Sequence, residues 1–284
     1  VYVKKLTQSM IDTNAFPYLV RSGGYYHEES PEWLTNGISL GTKLGRKLQV
    51  RGESRDLKWT RQDKGPIDKR LIAELGFGNE RVFQTTFTEQ YSDAFLHISV
   101  DASGSMSGDK WKNTMTSVVA IIKAVDMISN VDVSVSFRST HSTNSRGYGG
   151  EYPLVLVGYD SRVDKFNKVK KMFPNIYPGG TTPDMLPSTN GRDSYFLNLS
   201  DGMPMFSSSD FNYYNDEALT HTKTQVNEFR KMGIKVLSYF VGDSYDSNRN
   251  MTDFKTMYGN DAEFINLQNV TQISKTMNSK FLEK

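Results

Sequence analysis

The sequence has no cysteine among its 284 residues. This absence excludes a disulfide framework, a thiolate zinc site and a cysteine nucleophile. Long apolar runs are also missing, since no stretch reaches the roughly 18 apolar residues of a transmembrane helix. Residues Val1–Asp12 lack the charged-then-apolar pattern of a secretory signal. We therefore expect a soluble, cytoplasmic protein.

An excess of charge of one sign is missing as well. The 34 basic and 32 acidic side chains nearly cancel, to a formal net charge of +2. The whole chain is therefore not a polycation built to coat nucleic acid. However, the segment Gly41–Arg70 is locally +6, with ten Lys or Arg and four Asp or Glu, while the remaining residues sum to −4. This basic segment is interpreted as a solvated surface or a docking face for an acidic protein, with nucleic-acid binding as a less favoured alternative.

Strand-like and helix-like patterns alternate after residue 90. The run Ala94–Val100 is apolar and ends at Asp101, which is typical of a buried strand. Apolar residues between 109 and 129 recur at helical spacing. Further strands are predicted at 131–137 and 152–157, as a hairpin, and at 194–199, 234–241 and 263–267, with helices at 163–173, 219–232, 251–258 and 271–282. This alternation predicts an α/β fold with a doubly wound, mostly parallel sheet flanked by helices.

The first 90 residues are less regular. Four apolar residues, Ile38, Leu40, Leu44 and Leu48, predict a partly amphipathic helix over about 37–50. We therefore divide the chain into a basic, mixed and partly helical N-terminal extension, 1–90, and an α/β domain, 91–284.

Three polar loops are predicted at the carboxyl edge of the sheet, where ligands of such folds bind. They are Asp101–Met106, directly after a strand, Gly179–Thr182, and Asp201–Gly202, again directly after a strand. Together they supply two carboxylates and several hydroxyls but no His, Cys or Lys. Hard oxygen ligands of this kind suit Mg²⁺, Mn²⁺ or Ca²⁺ rather than Zn²⁺.

A purely structural explanation of these loops is helix capping, because Asp and Ser are good N-caps. For Asp101 or Asp201 taken singly, capping explains the residue as well as metal binding does. Capping does not explain why all three polar loops occur together at one edge of the predicted sheet.

The loops Asp101-x-Ser103-x-Ser105, Gly179-x-Thr181 and Asp201–Gly202, in this order, resemble the metal-ion-dependent adhesion site of von Willebrand factor A domains. The order of strands and helices resembles that fold too, over about 91–284. The resemblance implies that Ser103, Ser105 and Thr181 bind Mg²⁺ through their hydroxyls and that Asp101 and Asp201 bind it directly or through water. Thr182 is an alternative to Thr181. An acidic residue of a partner protein would complete the coordination.

The sequence before the α/β domain resembles one particular group of proteins that contain such A domains. The stretches Leu40–Leu44, Arg55–Leu57 and Arg81–Phe83 lead into the first loop in a way that resembles the cobaltochelatase subunit CobT and related activators of nitric-oxide reductase. The resemblance implies a non-catalytic subunit that works with a MoxR/CobS-type AAA+ ATPase in cobalt chelation for cobalamin biosynthesis, or in metalloenzyme maturation. The acidic linker and larger N-terminal domain typical of CobT are absent from this sequence.

Intrinsic catalysis is not expected. The sequence has no G-x-x-x-x-G-K-[ST] motif, so ATP would bind to another protein. A serine nucleophile would need a base, and none of the histidines stands in a recognisable partner motif; they are His27, His97, His141 and His221. The remaining alternative is a generic adhesion or scaffold A domain with the same metal site and a different partner.

Overall fold

The computed structural model of the chain describes residues 1–22, 31–52, 55–89, 94–128, 131–142, 151–181, 193–207, 212–242, 248–259 and 262–266. The strands are β1 (Tyr2–Lys5), β2 (Arg55–Ile67), β3 (Phe83–Glu89), β4 (Ala94–Asp101), β5 (Val131–Ser142), β6 (Glu151–Asp160), β7 (Asp193–Ser200), β8 (Phe206–Ser207), β9 (Asn212–Tyr213), β10 (Lys235–Gly242) and β11 (Glu263–Asn266). The helices are α1 (Gln8–Asp12), α2 (Glu32–Gly52), α3 (Asp109–Val125), α4 (Phe166–Val169), α5 (Asn215–Lys231) and α6 (Asn248–Tyr258). The helix predicted at 271–282 lies outside the described residues.

One seven-stranded sheet forms the centre of the fold, in the order β1-β6-β5-β4-β7-β10-β11. Strand β4 is parallel to both of its neighbours, and β10 and β11 continue the parallel arrangement. Strand β6 is antiparallel to β5, as the predicted hairpin requires, and β1 lies parallel to β6 at the edge. The order from β6 to β11 is the 3-2-1-4-5-6 order of doubly wound folds. The predicted mostly parallel α/β sheet is confirmed.

The two faces of the central strands differ in polarity because successive side chains alternate between faces. On β4, Leu96, Ile98 and Val100 are fully buried in one apolar cluster with Trp111 and Met115 of α3. The opposite face of the central strands carries buried polar side chains, His97, Ser99, Asp101, Ser136, Arg138 and Asn198. Every residue of β4 is therefore buried, and neighbouring side chains on both faces fix the position of its last residue, Asp101.

Helix α5 shows how the flanking helices are bounded. Its first turn carries Asp216 and Glu217 and its last turn carries Arg230 and Lys231, which complements the helix dipole. Gly233 follows the C-cap with a φ of 80°, a left-handed conformation that glycine adopts without steric cost. The helix therefore ends where the sequence pattern predicts.

Three glycines of helix α2 allow its backbone to pack closely against α3. Gly37, Gly41 and Gly45 recur every fourth residue and are buried against α3. A Cβ at position 41 would lie 2.5 Å from the Ala120 carbonyl oxygen, so the close approach requires glycine there. The residues that predicted this helix are only half-buried; they are Ile38, Leu40, Leu44 and Leu48. The helix also begins earlier than predicted, at Glu32.

Strands β2 and β3 form a separate antiparallel ribbon that the sequence patterns did not predict. Its first strand is rich in charged residues, and the Trp59 side chain is 61% exposed. Two 3.0 Å hydrogen bonds from Arg61 to Glu74 tie this ribbon to the 3₁₀ turn Ile72–Phe77.

The described part of 1–90 contacts the sheet domain at several places, which include the pairing of β1 with β6, the packing of α2 on α3, and backbone hydrogen bonds from Tyr177 to Leu19 and from Arg21 to Asn175. The division of the chain at residue 90 stays a prediction. Within the described ranges, no helix combines the length and the apolar character that a bilayer span requires.

Candidate metal centre

Strands β4 and β7 end side by side, and two of the predicted loops begin there. Val100 pairs with Leu199, and the next residues, Asp101 and Ser200, are the last residues of their strands. The Ser200 hydroxyl donates a 2.6 Å hydrogen bond to Asp101 Oδ2. The pairing of parallel strands thus brings together two loops that lie about a hundred residues apart in sequence.

The Asp101 carboxylate is held in place from both sides. The residue is 2% exposed. Its Oδ1 accepts a 2.9 Å hydrogen bond from the backbone N–H of Ser103, and its Oδ2 accepts the bond from Ser200. This Asx-type turn bends the chain directly after the strand. Asp101 is therefore a fixed negative charge at the base of the site.

Three of the predicted ligands form one chain of hydrogen bonds. The hydroxyls of Ser103 and Ser105 lie 2.9 Å apart, and Ser105 donates a 2.9 Å hydrogen bond to Asp201 Oδ1. Ser103 is almost fully buried, whereas Ser105 and the neighbouring Gly104 are exposed. The cluster therefore has a buried base and a side that is open to solvent.

The glycine loop lies against the first loop through backbone hydrogen bonds. The N–H of Gly179 donates to the Ala102 carbonyl at 2.8 Å, and the N–H of Gly104 donates to the Gly180 carbonyl at 3.2 Å. Gly180 has a φ of 76°, and a Cβ there would overlap the Thr140 hydroxyl. The Thr181 N–H donates a 3.0 Å hydrogen bond to that same hydroxyl. Thr181 thus follows a loop packed against the site, while Thr182 lies outside the described residues.

The negative charge of the two carboxylates at the centre is only partly compensated by neighbouring side chains. Burial raises the pKa of Asp201 above its ordinary range, and the nearby charge of Asp101 raises it further, whereas bonds from Ser105 and Lys110 oppose the shift. A bound cation would relieve this cost of holding two carboxylates close together.

The donor set fits a hard dication. It consists of carboxylate and hydroxyl oxygens, which Mg²⁺ and Ca²⁺ prefer. Among the residues that the structure describes, no group of three or more His, Asp or Glu side chains is arranged so that it could hold a metal ion. Metal binding here would therefore depend on the serine and threonine hydroxyls as well as on the carboxylates.

Two further residues of the centre were not found from the sequence. Ser200 directly follows the strand predicted at 194–199 and belongs to none of the three predicted loops. Lys110 lies in the first turn of α3, and its Nζ is 3.2 Å from Asp201 Oδ2. In the sequence, the one feature that could have pointed to Lys110 is its position at the start of the helix after the first loop, four residues after Met106.

No protein-family model matches the sequence, and no curated protein matches it. Proximal thread matrix protein 1 from the mussel byssus has a solved structure that is 12% identical, with a TM-score of 0.43, over 66% of this chain and 45% of that chain. A von Willebrand factor type A structure from Catenulispora acidiphila is 12% identical, with a TM-score of 0.42, over 70% of this chain and 45% of that chain. This chain thus matches less than half of either structure's length.

At these values the two likenesses carry no argument about what the chain binds or does. The assignment of the fold rests on the strand order and on helix α3, which follows the first central strand. The described residues have the predicted α/β fold with a doubly wound, mostly parallel sheet.

Proposed function

We propose that this protein is a metal-dependent protein-interaction module, in which Asp101, Ser103, Ser105, Thr181 and Asp201 hold Mg²⁺, with Mn²⁺ or Ca²⁺ as alternatives. The observation that carries this proposal is the 2.9 Å hydrogen bond from Ser105 to Asp201, between loops that lie 96 residues apart. It joins hydroxyl and carboxylate oxygens from two predicted ligand loops at the edge of the sheet.

Each residue has a separate task in this arrangement. Asp101 is a buried anion fixed by Ser103 and Ser200. Ser105 lies on the open side, where a partner would approach, and donates its hydrogen bond to the mostly buried Asp201. Mg²⁺, when bound, would supply an open coordination position that an acidic side chain of the partner completes. The chain's own residues would thereby make binding of the partner depend on metal.

We further infer that the partner is a MoxR/CobS-type AAA+ ATPase and that the chain acts as a non-catalytic, CobT-like subunit in cobalt chelation or metalloenzyme maturation. The basic segment upstream of the site supports this inference as a second docking surface. Its described basic side chains are exposed; they include Lys43, Arg46, Lys47, Lys58, Lys64 and Lys69.

Binding of nucleic acid is less well supported by the same segment. Arg61 and Arg70 form ion pairs with Glu74 and Asp68 of the chain itself. Phosphate contacts would have to compete with these internal pairs. This local neutralisation favours a mixed protein interface over a phosphate-binding surface.

The test is co-purification of the tagged full chain from its source cells, in Mg²⁺ or in chelator. We expect an AAA+ ATPase to be recovered in Mg²⁺ and lost in chelator. Asp101→Ala should also lose it, with circular dichroism unchanged. The control Asp109→Ala removes the same charge from the first turn of α3, where the side chain is 87% exposed, and should behave as wild type.

Recovery of the ATPase that is equal with and without chelator would contradict the metal-dependent mechanism. Recovery of RNA or DNA instead of the ATPase, lost steeply as salt increases, would contradict the assignment of the partner.

A further inference from the structure

Lys110 is part of the candidate metal centre although it donates no oxygen. Its ammonium lies 3.2 Å from Asp201 Oδ2, while the other oxygen of the same carboxylate accepts the bond from Ser105. The Lys110 and Asp201 side chains are only 15% and 7% exposed. The ammonium is therefore held in the same partly dehydrated cluster as the proposed ligand oxygens.

A second lysine in the same helical turn, Lys112, is far more exposed than Lys110 and serves as a comparison. Lys112 Nζ lies 3.7 Å from Asp109 Oδ1, and these side chains are 64% and 87% exposed. Water screens such a surface pair, so it contributes little. Lys110 instead contacts the Asp201 carboxylate, which is 7% exposed and also accepts the hydrogen bond from Ser105.

We propose that Lys110 is the counter-cation of the metal-free site, and that a dication must displace its ammonium from Asp201 in order to bind. This inference rests on the proposed metal site. The reason is Coulombic, because an ammonium and a dication on one carboxylate repel each other strongly in a partly buried cluster. The flexible four-carbon stem of lysine allows the ammonium to move into solvent when the metal enters.

Two properties follow from this exchange. The metal-free protein keeps its fold, since Lys110 neutralises part of the charge at the site. The site also discriminates by charge. A monovalent cation would replace one positive charge by another, whereas a dication adds a net positive charge beside two carboxylates. Lys110 thus sets both the affinity and the selectivity of the centre.

The experiment is calorimetric titration of Mg²⁺ into the full chain at low ionic strength. Lys110→Met removes the charge and keeps a similar apolar stem, and Lys112→Met is the matched control. We expect the Mg²⁺ Kd of Lys110→Met to fall by about tenfold or more relative to wild type. The Kd of Lys112→Met should stay within about twofold, because its charge is screened by water. Lys110→Arg, which keeps the charge, should stay close to wild type.

A thermal unfolding series without metal gives the second readout. Lys110→Met should unfold at a lower temperature than wild type in chelator, and Mg²⁺ should raise its Tm by more than it raises that of wild type. Lys110→Gln serves the same purpose if the methionine variant does not fold.

The outcomes separate this inference from the proposed function. Binding of Mg²⁺ by wild type and Lys110→Met with the same Kd would overturn the role of Lys110 and leave the metal site standing. Binding by Lys110→Met alone would show that Lys110 blocks the site in the wild type, and would overturn the proposed metal-dependent function of the wild-type chain. Absence of binding in both proteins would overturn the metal site, and the inference with it.

Discussion

Asp201, at the carboxyl ends of the parallel strands, and Asp160, at the opposite end of the sheet, are both largely buried. Asp160 accepts three hydrogen bonds from Arg162, at 2.7–3.0 Å, through the backbone N–H, Nε and Nη2. Burial raises the pKa of Asp160, but the bonds and charge of Arg162 outweigh this effect and lower it overall. At Asp201, burial and Asp101 outweigh Ser105 and Lys110, and the pKa is raised.

This contrast distinguishes a structural carboxylate from a candidate ligand. Because the pKa of Asp160 is lowered below its ordinary 3.8, its ionised form stabilises the fold above that pH, and this contribution is lost as the pH falls further. Because the pKa of Asp201 is raised, its ionisation opposes folding as the pH rises past the ordinary value. At one end of the sheet the carboxylate is compensated by Arg162, whereas at the other end an added cation would stabilise the ionised carboxylates further.

The largest expected difference between the two aspartates is in how their substitution changes the stabilisation of the fold by Mg²⁺. At a concentration a hundred times its Kd, Mg²⁺ should stabilise the wild type by about 2.7 kcal/mol, as measured by denaturant unfolding. Asp201→Asn should lose this stabilisation, whereas Asp160→Asn, with the same change of charge, should keep it. Equal loss in both variants would show that the effect is not local to the carboxyl edge.

A second test concerns the middle of the same polar face. Burial, followed by the charge of Arg138, lowers the pKa of His97 to about 3. The unfolded chain binds a proton below its ordinary pKa of 6.5 and the folded chain does not, so stability falls as the pH drops.

Between pH 6.5 and pH 5 this effect should cost about 1–2 kcal/mol. Urea unfolding at several pH values would measure it. The variant His97→Gln should show a much smaller dependence on pH in this window, and the exposed control His221→Gln should behave as wild type. An unchanged dependence in His97→Gln would show that another group is responsible.

The smallest effect distinguishes the two aspartates without metal. Asp160→Asn should lower the free energy of unfolding by about 1 kcal/mol, because Arg162 loses its carboxylate and water screens the half-exposed guanidinium. Asp201→Asn should cause no loss at neutral pH in chelator, since it removes a carboxylate whose ionisation the fold disfavours. Equal destabilisation by both substitutions would contradict the proposed electrostatic difference between the two ends of the sheet.

The sheet and two of the site loops could be predicted because apolar runs mark where β4 and β7 end. Parallel pairing then brings Asp101 and Asp201 together whatever their distance in sequence. The position of Lys110 depends on how α3 lies over the sheet, which no local pattern specifies. The ribbon of β2 and β3 was missed because its charged residues lack the usual composition of strands.

Helix α2 was predicted, but its docking against α3 was not. Its leucines marked a helix, but Gly41 and Gly45 carry no side chain and so give no apolar signal. Their role appears only when the backbone of α3 lies next to them, where a Cβ at Gly45 would come within 2.6 Å of Met127 Sδ. Close backbone packing is thus the part of the fold that hydropathy patterns do not report.

Calorimetric titration of Mg²⁺ into the wild type, Asp201→Asn and Asp160→Asn tests the central claim most directly. We predict saturable binding of one Mg²⁺ by the wild type and by Asp160→Asn, and no measurable binding by Asp201→Asn. Absence of binding in the folded wild type, or binding that survives equally in Asp201→Asn, would contradict the assignment of the metal centre.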